Sequence, residues 1–506
     1  MSETRLIPLP PFVQSEWQER PPATGPWYKT ISLAYGGLFI WAPFFDQIWL
    51  LRIGNVDILG LLAVAFTALL FCYYFFYRPL ATAGFLYQQR LGVLAASTFG
   101  TQGAEWIVGV GLAAAGIVWY AVTFDFAVDA TMLGLESMRL LERSAWDHPT
   151  LWGGSVRSPV FLLTAGFWIF IIRTAYALGL TSVIVALMKF YSPVALLLLT
   201  AIAFAMLGGF LGLRPDDYAR LALHEADFGH GSATIVTHIF GFFALAGFFG
   251  ADWGATARER RDVVLGGITG IIGVGMWVAL MSLIIVGSAV HQLAVMPQPP
   301  QANVFGPLPL SFRWAILNAV GGPVGGTILI LFGLASLAPA VYLIDRFGRT
   351  MSAHWPLRKK WLWGWLAGVP AMVMIALGWS QSIGRVEEMM GHLLAPALGA
   401  LAADMMAQHG ACPGVRPGLN RPGLIAVALG LFVWPAWQVL LALNWNLGTQ
   451  VLSVLYAFLV PFFVYAVAQR QGWMAPTVPL EPFTPQIPTL AELIDPPLAT
   501  GHQDAP

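Results

Sequence analysis

Twelve apolar segments, each near the length of one bilayer crossing, follow one another through 506 residues. A helix needs about 20 mostly apolar residues to cross the hydrocarbon core. The segments run roughly over 29–52, 56–77, 103–126, 158–179, 190–212, 233–252, 263–290, 314–344, 361–380, 388–407, 422–443 and 450–469. Lipid offers no water to unpaired backbone groups, so segments of this kind fold as helices. Charged residues make up 10% of the chain, against ~25% in a soluble domain. The pattern predicts an all-α polytopic membrane protein. Between the fourth and fifth segments only Arg173, Lys189 and Pro193 interrupt the apolar tract.

Loop charges set an orientation, because Lys and Arg gather on the cytoplasmic side. Arg78 and Arg90 follow the second span, Lys189 the fourth, and Arg258, Arg260 and Arg261 the sixth. Arg346, Arg349, Arg358, Lys359 and Lys360 follow the eighth, and Arg416 and Arg421 the tenth. The alternate loops are acidic or mixed, with Glu136, Glu142 and Asp147, then Asp216, Asp217, Glu225 and Asp227, then Glu387 and Glu388. This predicts an inner-membrane protein with both termini in the cytoplasm. Residues 1–27 read as an N-terminal tail, 28–407 as the core, 408–472 as two appended helices and 473–506 as a disordered, proline-rich and acidic tail.

Several classes drop out. The formal net charge is zero, so no basic surface invites nucleic acid. Cys72 and Cys412 lie far apart and suggest neither a disulfide framework nor a metal motif. The polar, proline-rich start is unlike a cleavable leader. No polar stretch is long enough for a soluble catalytic module, which argues against an enzyme. A membrane enzyme or sensor subunit would also need clustered histidines or carboxylates at one face. The expectation is a monomer with no cofactor or metal, whose partners are the bilayer and a small molecule.

Helix breaks survive in lipid where they line a cavity, and in transporters they often form substrate and ion sites. The first span carries Pro43, which removes a donor and frees carbonyls one turn earlier. The sixth carries Gly241, Gly247 and Gly250 among aromatics and leaves the apolar region at Asp252. Each opens a block of five spans if spans one to five and six to ten are repeats. Simple kinking and packing explain proline and glycine equally well. In the eighth span the glycines from Gly321 to Gly326 suit close packing, whereas Ser336 is polar and near mid-span. Asp46 is a carboxylate within a span, and so a candidate proton carrier. Asp125 and Asp129 read as solvated, and Asp252 and Asp404 as inner-gate acids paired with loop arginines. His238, deeper in its span, is open to a proton-sensing role but reads first as a packed histidine.

Four patches resemble the nucleobase–cation symporter-1 family, which includes cytosine, uracil, allantoin and hydantoin transporters. They are Ile7-Pro8-Leu9-Pro10-Pro11 with Trp17, the run Ser97 to Ala104, the stretch 241–262, and Ala395-Pro396 through Gly399 to Ala403-Asp404. Gln102, Ala255 and Met405 depart from the family pattern.

The resemblance implies a LeuT-like fold of five plus five inverted spans with two further helices. It implies a symporter that stacks a planar heterocycle between aromatics of spans three and six. Trp119 falls within one residue of the family's span-three tryptophan, and Phe243 aligns with the span-six aromatic. Gly241, Phe242 and Gly247 lie beside Phe243. Thr123 and Ser336 stand at the ligand-reading polar positions. From the residues alone, plain helix packing serves either ring as well. Sodium-coupled members place hydroxyls where Ile330 and Leu331 stand here, and neither side chain ligates a hard cation. Thr327 is the nearest hydroxyl, and carbonyls near Ala42 remain available. The coupling ion, proton or sodium, stays open. An amino-acid or amine carrier of the same fold is the alternative.

Overall fold

The computed structural model describes residues 9–18, 25–39, 58–142, 157–221, 228–296, 312–355, 360–379, 383–408, 414–442 and 452–478. Its elements are helices: α1 (Pro11–Gln18) and α2 (Ile31–Phe39); α3 (Ile58–Tyr87), α4 (Leu91–Phe99) and α5 (Thr101–Ser137); α6 (Pro159–Ala177) and α7 (Thr181–Leu211); α8 (Phe228–Ala246) and α9 (Phe249–Ala255); α10 (Arg260–Ala294), α11 (Phe312–Val320) and α12 (Gly322–His354); and α13 (Lys360–Ala376), α14 (Ile383–Ala407), α15 (Arg421–Ala442) and α16 (Leu452–Arg470).

Among the described residues, nine single helices are long and apolar enough to cross a membrane, and α8 with α9 forms a tenth, bent span. α13 is a shorter apolar helix that fills the place of the ninth predicted span. The first span is described only through Phe39, so Ala42, Pro43 and Asp46 lie outside the described residues.

Helix ends differ from the predicted spans where polar residues extend a helix past its apolar run. Arg78 lies inside α3, Lys189 inside α7, Glu136 inside α5, and Arg346 and Arg349 inside α12. The fourth and fifth spans part at Gly179, whose φ of +72° ends α6. The eighth span starts later than predicted because Gly321 breaks the chain there, leaving α11 as a separate short helix. Glu387 and Glu388, expected in a loop, sit inside α14.

Two internal correspondences mark the repeat. α4 and α11 are each nine residues long. Each is followed by a glycine with positive φ and extended ψ, Gly100 at +79° and 165° and Gly321 at +69° and 162°. Glycine adopts that geometry without the Cβ penalty. The long third helix of each half, α5 and α12, begins just past that glycine. The second helix of each half, α3 and α10, contains a π-helical segment, Cys72–Tyr77 and Ile268–Gly273.

α5 and α12 cross at the centre of the bundle. A Cβ on Gly134 would lie 2.7 Å from the Gly326 carbonyl oxygen, and one on Gly326 would lie 2.5 Å from that of Gly134. Small residues thus let the two backbones meet, as in other membrane helix pairs.

The N-terminal segment is not a free tail over its described part. α1 buries Phe12, Val13 and Glu16. The Phe12 ring fills the space beside Gly92 and Gly109. At the other end, the chain after α16 packs back: Val478 pairs with Val415, and the Arg416 side chain donates to the Ala475 carbonyl at 2.9 Å. The expected tail therefore stays attached to the bundle as far as Val478, and residues beyond lie outside the described set. Cys72 is a buried free thiol, and Cys412 lies outside the described residues.

Candidate functional site

The sixth span breaks within its aromatic run. α8 ends at Ala246, α9 starts at Phe249, and their axes differ by 50°. Gly247 bonds back to the Phe243 carbonyl at 2.8 Å, and Phe248 to that of Leu245 at 3.2 Å. A Cβ on Gly247 would meet Leu398, the Phe243 carbonyl oxygen and Phe76, each at 3.0 Å. The glycine is therefore needed for close approach at the turn.

Aromatic rings line this break. Trp119 of α5 meets Phe242 edge to face, with centroids 5.7 Å apart and planes at 90°. Phe242 meets Phe243 at 5.6 Å. Phe243 stacks on Tyr35 of α2 at 6.2 Å, with planes 17° apart. The Tyr35 hydroxyl donates to the Ala246 carbonyl at 3.1 Å, one of the carbonyls exposed by the break. Tyr77 and Trp253 pack edge-on against Tyr35 at 5.2 and 4.5 Å. The rings form a closed train from α5 to α2, with Phe243 fully buried. Edge-to-face and offset-stacked contacts at these spacings are favourable.

The two polar positions meet each other where α5 and α12 touch. The Ser336 hydroxyl donates to the Gly333 carbonyl at 2.7 Å and lies 3.4 Å from the Thr123 carbonyl oxygen. The Thr123 hydroxyl donates to the Tyr120 carbonyl at 2.6 Å. Each hydroxyl thus donates to the backbone of its own helix, and only Ser336 also reaches across the α5–α12 contact. Reading a ligand's edge would require each to rotate off its own helix.

Gly241 faces α14. A Cβ there would lie 2.2 Å from the Glu387 carbonyl oxygen. Its small size lets α8 lie directly on α14. One turn earlier, His238 Nδ1 contacts the Glu387 carboxylate, and both side chains are almost wholly buried. The sequence gives His238 no partner, because Glu387 reads as a loop residue there but lies inside α14. The acidic start of α14 gave no periodic sign of burial.

Two sets of ion pairs flank the aromatic train. At one end, Arg346 Nη1 lies 2.5 Å from one Asp252 oxygen, and the Leu91 backbone N–H donates to the other at 3.1 Å. Glu16 of α1 stands 3.9 Å from the same Arg346 nitrogen and accepts from Gly92 N–H at 3.4 Å. Burial lifts the Glu16 carboxyl above the usual carboxylate range, against the pull of Arg346. Asp404 accepts from Ser97 and Thr98 at 2.7 and 2.8 Å, with Arg416 at 3.9 Å. Asp252 and Asp404 do pair with arginines first assigned to loops, although Arg346 is helical.

At the other end of α5, Arg157 holds both oxygens of Asp125 at 3.0 Å. Arg313 of α11 contacts Asp129. Asp125 is buried, so it is not solvated as predicted. Its guanidinium partner stacks over Phe161 at 4.2 Å.

Of the groups considered for a cation, Ile330 and Leu331 lie on α12, and the Thr327 hydroxyl donates to the Pro323 carbonyl at 2.9 Å near the surface. Among the described residues, no group of three or more His, Cys, Asp or Glu side chains is placed to hold a metal ion.

No protein-family description matches this chain, and no curated protein matches it in sequence. Solved structures do match. Mhp1, a nucleobase-cation-symport-1 family transporter in a closed conformation with bromovinylhydantoin bound, superposes with a TM-score of 0.60 at 14% identity over 93% of this chain and 95% of its own. The inward-facing conformation of Mhp1 gives a TM-score of 0.60 at 13% identity, over 88% of this chain and 90% of its own. A Na+-coupled sialic acid symporter in a substrate-bound outward-open state gives 0.54 at 10% identity, over 93% and 95%. These likenesses define the class: a multi-pass membrane protein with the LeuT-like fold of two inverted five-helix repeats and two further helices.

Proposed function

We propose that this protein is a secondary transporter of a nucleobase or related planar nitrogen heterocycle. It works by alternating access across the cytoplasmic membrane, as a symporter driven by protons or sodium, and needs no prosthetic group. In this reading the chain acts as a monomer with both termini in the cytoplasm. Residues 28–407 form the transporting core and 408–472 the appended helices.

The observation that carries the reading is the aromatic train at the bent sixth span, with the Thr123–Ser336 contact on α5 and α12. A flat ring gains from stacking and from leaving water, and a few polar groups then fix its orientation. Trp119, Phe242 and Phe243 supply the stacking faces, with Thr123 and Ser336 reading donors and acceptors. Gly241 and Gly247 allow the close helix approach behind the rings. Pro43 is assigned the matching break in the first span, and Asp46 a place among the coupling groups. The overlap with a transporter solved with a hydantoin bound points the same way. Ion pairs at both ends of the bundle fit a fold that opens one end at a time.

The test is uptake by the purified protein in liposomes, with radiolabelled uracil, cytosine, allantoin and hydantoin. Accumulation of at least one ring, dependent on an imposed proton or sodium gradient, is the expected result. Failure of all four, with uptake of amino acids instead, overturns the reading.

A further inference from the structure

We infer that the buried His238–Glu387 pair, which bridges the sixth and tenth spans, is the proton-binding site that couples transport to a proton gradient. This rests on the transporter reading above, and it gives the pair a role that sequence offered first to Asp46 and second to His238.

Three observations converge. First, the pair is sealed: the His238 and Glu387 side chains are 4% and 1% exposed. Second, Glu387 spends only one oxygen on His238, and its Oε1 has no hydrogen-bond partner among the described residues. Third, the pair sits where α8 and α14 pack closely: a Cβ on Gly241 would lie 2.2 Å from the Glu387 carbonyl oxygen, and one on Gly391 would lie 3.3 Å from the Gly241 Cα. Gly241 immediately precedes Phe242 and Phe243. A change at the pair therefore acts on the helix that carries the proposed stacking rings.

The charge states give the mechanism. With one proton shared between His238 Nδ1 and the Glu387 carboxylate, the pair has no net charge, as an imidazolium beside a carboxylate or as two neutral groups. Without that proton, a neutral imidazole faces a carboxylate, and one negative charge is left buried. An uncompensated buried charge is far more costly than a paired one. The proton therefore favours the packed α8–α14 contact, and its loss favours separation. A ligand biases a two-state element only through such a difference between its states.

One further carboxylate, Glu388 on α14, acts on the pair through its electrostatic interaction with His238. On α14, Arg385, Glu388 and His392 lie within about one turn, and His392 Nδ1 bonds to the Glu388 carbonyl at 2.7 Å. α3, packed on α8, brings Cys72, Arg78 and tyrosines but no carboxylate or histidine. α16 brings Tyr456, Tyr465 and Arg470, and α15 brings Arg421. α4 brings no titratable side chain. Of the carboxylates on the remaining neighbours α5 and α9, Asp125 pairs with Arg157, Asp129 with Arg313, Glu105 with His354 and Asp252 with Arg346, and Glu136 lies in the last turn of α5.

The test has two arms on the full-length protein. In the first, infrared difference spectra of the detergent-purified protein are recorded across pH for the wild type, Glu387→Gln and His238→Asn. The expected result is a buried-carboxyl signal that titrates in the wild type, vanishes in Glu387→Gln and moves its midpoint in His238→Asn. A titration unchanged by both substitutions overturns the proposal, and the wild-type signal stands even if one variant fails to fold. In the second arm, proteoliposomes are given external bromovinylhydantoin as probe, with and without an inward proton gradient. The gradient should raise wild-type uptake about tenfold, and Glu387→Gln should bring that ratio to one. A retained ratio in Glu387→Gln overturns the proposal. A wild-type protein that moves neither bromovinylhydantoin nor any nucleobase sinks the transporter reading instead, while the first arm still decides whether the pair binds the proton.

Discussion

Tyr35 lies stacked on Phe243, with ring centroids 6.2 Å apart and planes 17° apart, and its hydroxyl is bonded to the Ala246 carbonyl at 3.1 Å. One side chain from the second described helix thus covers the proposed stacking face and satisfies a carbonyl freed by the break. A ligand that stacks on Phe243 must displace or share this ring. Tyr35→Phe keeps the ring and removes the hydrogen bond, a loss of about 1 kcal/mol. The expected outcome is a small drop in thermal stability with heterocycle binding retained. Tyr35→Ala empties a fully buried site, so it should cost about 3–5 kcal/mol of stability as well as uncover Phe243. Calorimetric binding and thermal denaturation of the two variants separate these effects.

Phe243→Ala should lower affinity for a planar ring by tenfold or more while the protein still purifies as a monodisperse species. Stacking beyond simple burial contributes about 0.5–1.5 kcal/mol, and lost apolar burial adds to it. Phe242→Ala should have a similar but smaller effect, since Phe242 is only half-buried. Unchanged affinity in both, measured by calorimetry, removes these rings from the site.

Gly241→Ala tests the close approach of α8 and α14. Its Cβ would lie 2.2 Å from a backbone oxygen, which cannot yield as a flexible side chain would. The helices must separate, at a cost of about 1–3 kcal/mol. Gly208→Ala is the control, because nothing lies within 4 Å of a Cβ there. It should leave the melting temperature level or raise it slightly, since alanine is the better helix former.

Docking of α1 should weaken as pH rises. Burial holds the Glu16 carboxyl above its ordinary value, so the docked state binds more protons than the undocked one. Its contribution is fully present below the ordinary carboxylate value of 4.5 and is lost progressively as pH climbs through the raised one. Labelling of Val13→Cys by a water-soluble maleimide, corrected for intrinsic thiol reactivity, should increase over that window. Glu16→Gln should flatten the dependence.

Much of the fold was legible because bilayer thickness fixes helix length, and apolar runs betray it. Ten of the twelve predicted segments are matched among the described residues by spans that pass on length and composition, with α13 shorter and the first span only partly described. Helix ends were less legible. Arg346 and Glu387 look like loop residues in sequence, yet each is held inside a helix by a partner distant along the chain, Asp252 or His238. Such pairings leave no local periodicity. The stacking of Tyr35 was hidden for the same reason, since it depends on how α2 meets the break near Phe243.

The most direct test of the central claim is a ligand-induced thermal shift on the detergent-purified protein. The panel is purines, pyrimidines, hydantoins, allantoin and amino acids, each in sodium and in potassium. The account predicts stabilisation by a planar nitrogen heterocycle, lost in Phe243→Ala. Stabilisation by amino acids alone would keep the fold and contradict the proposed substrate class.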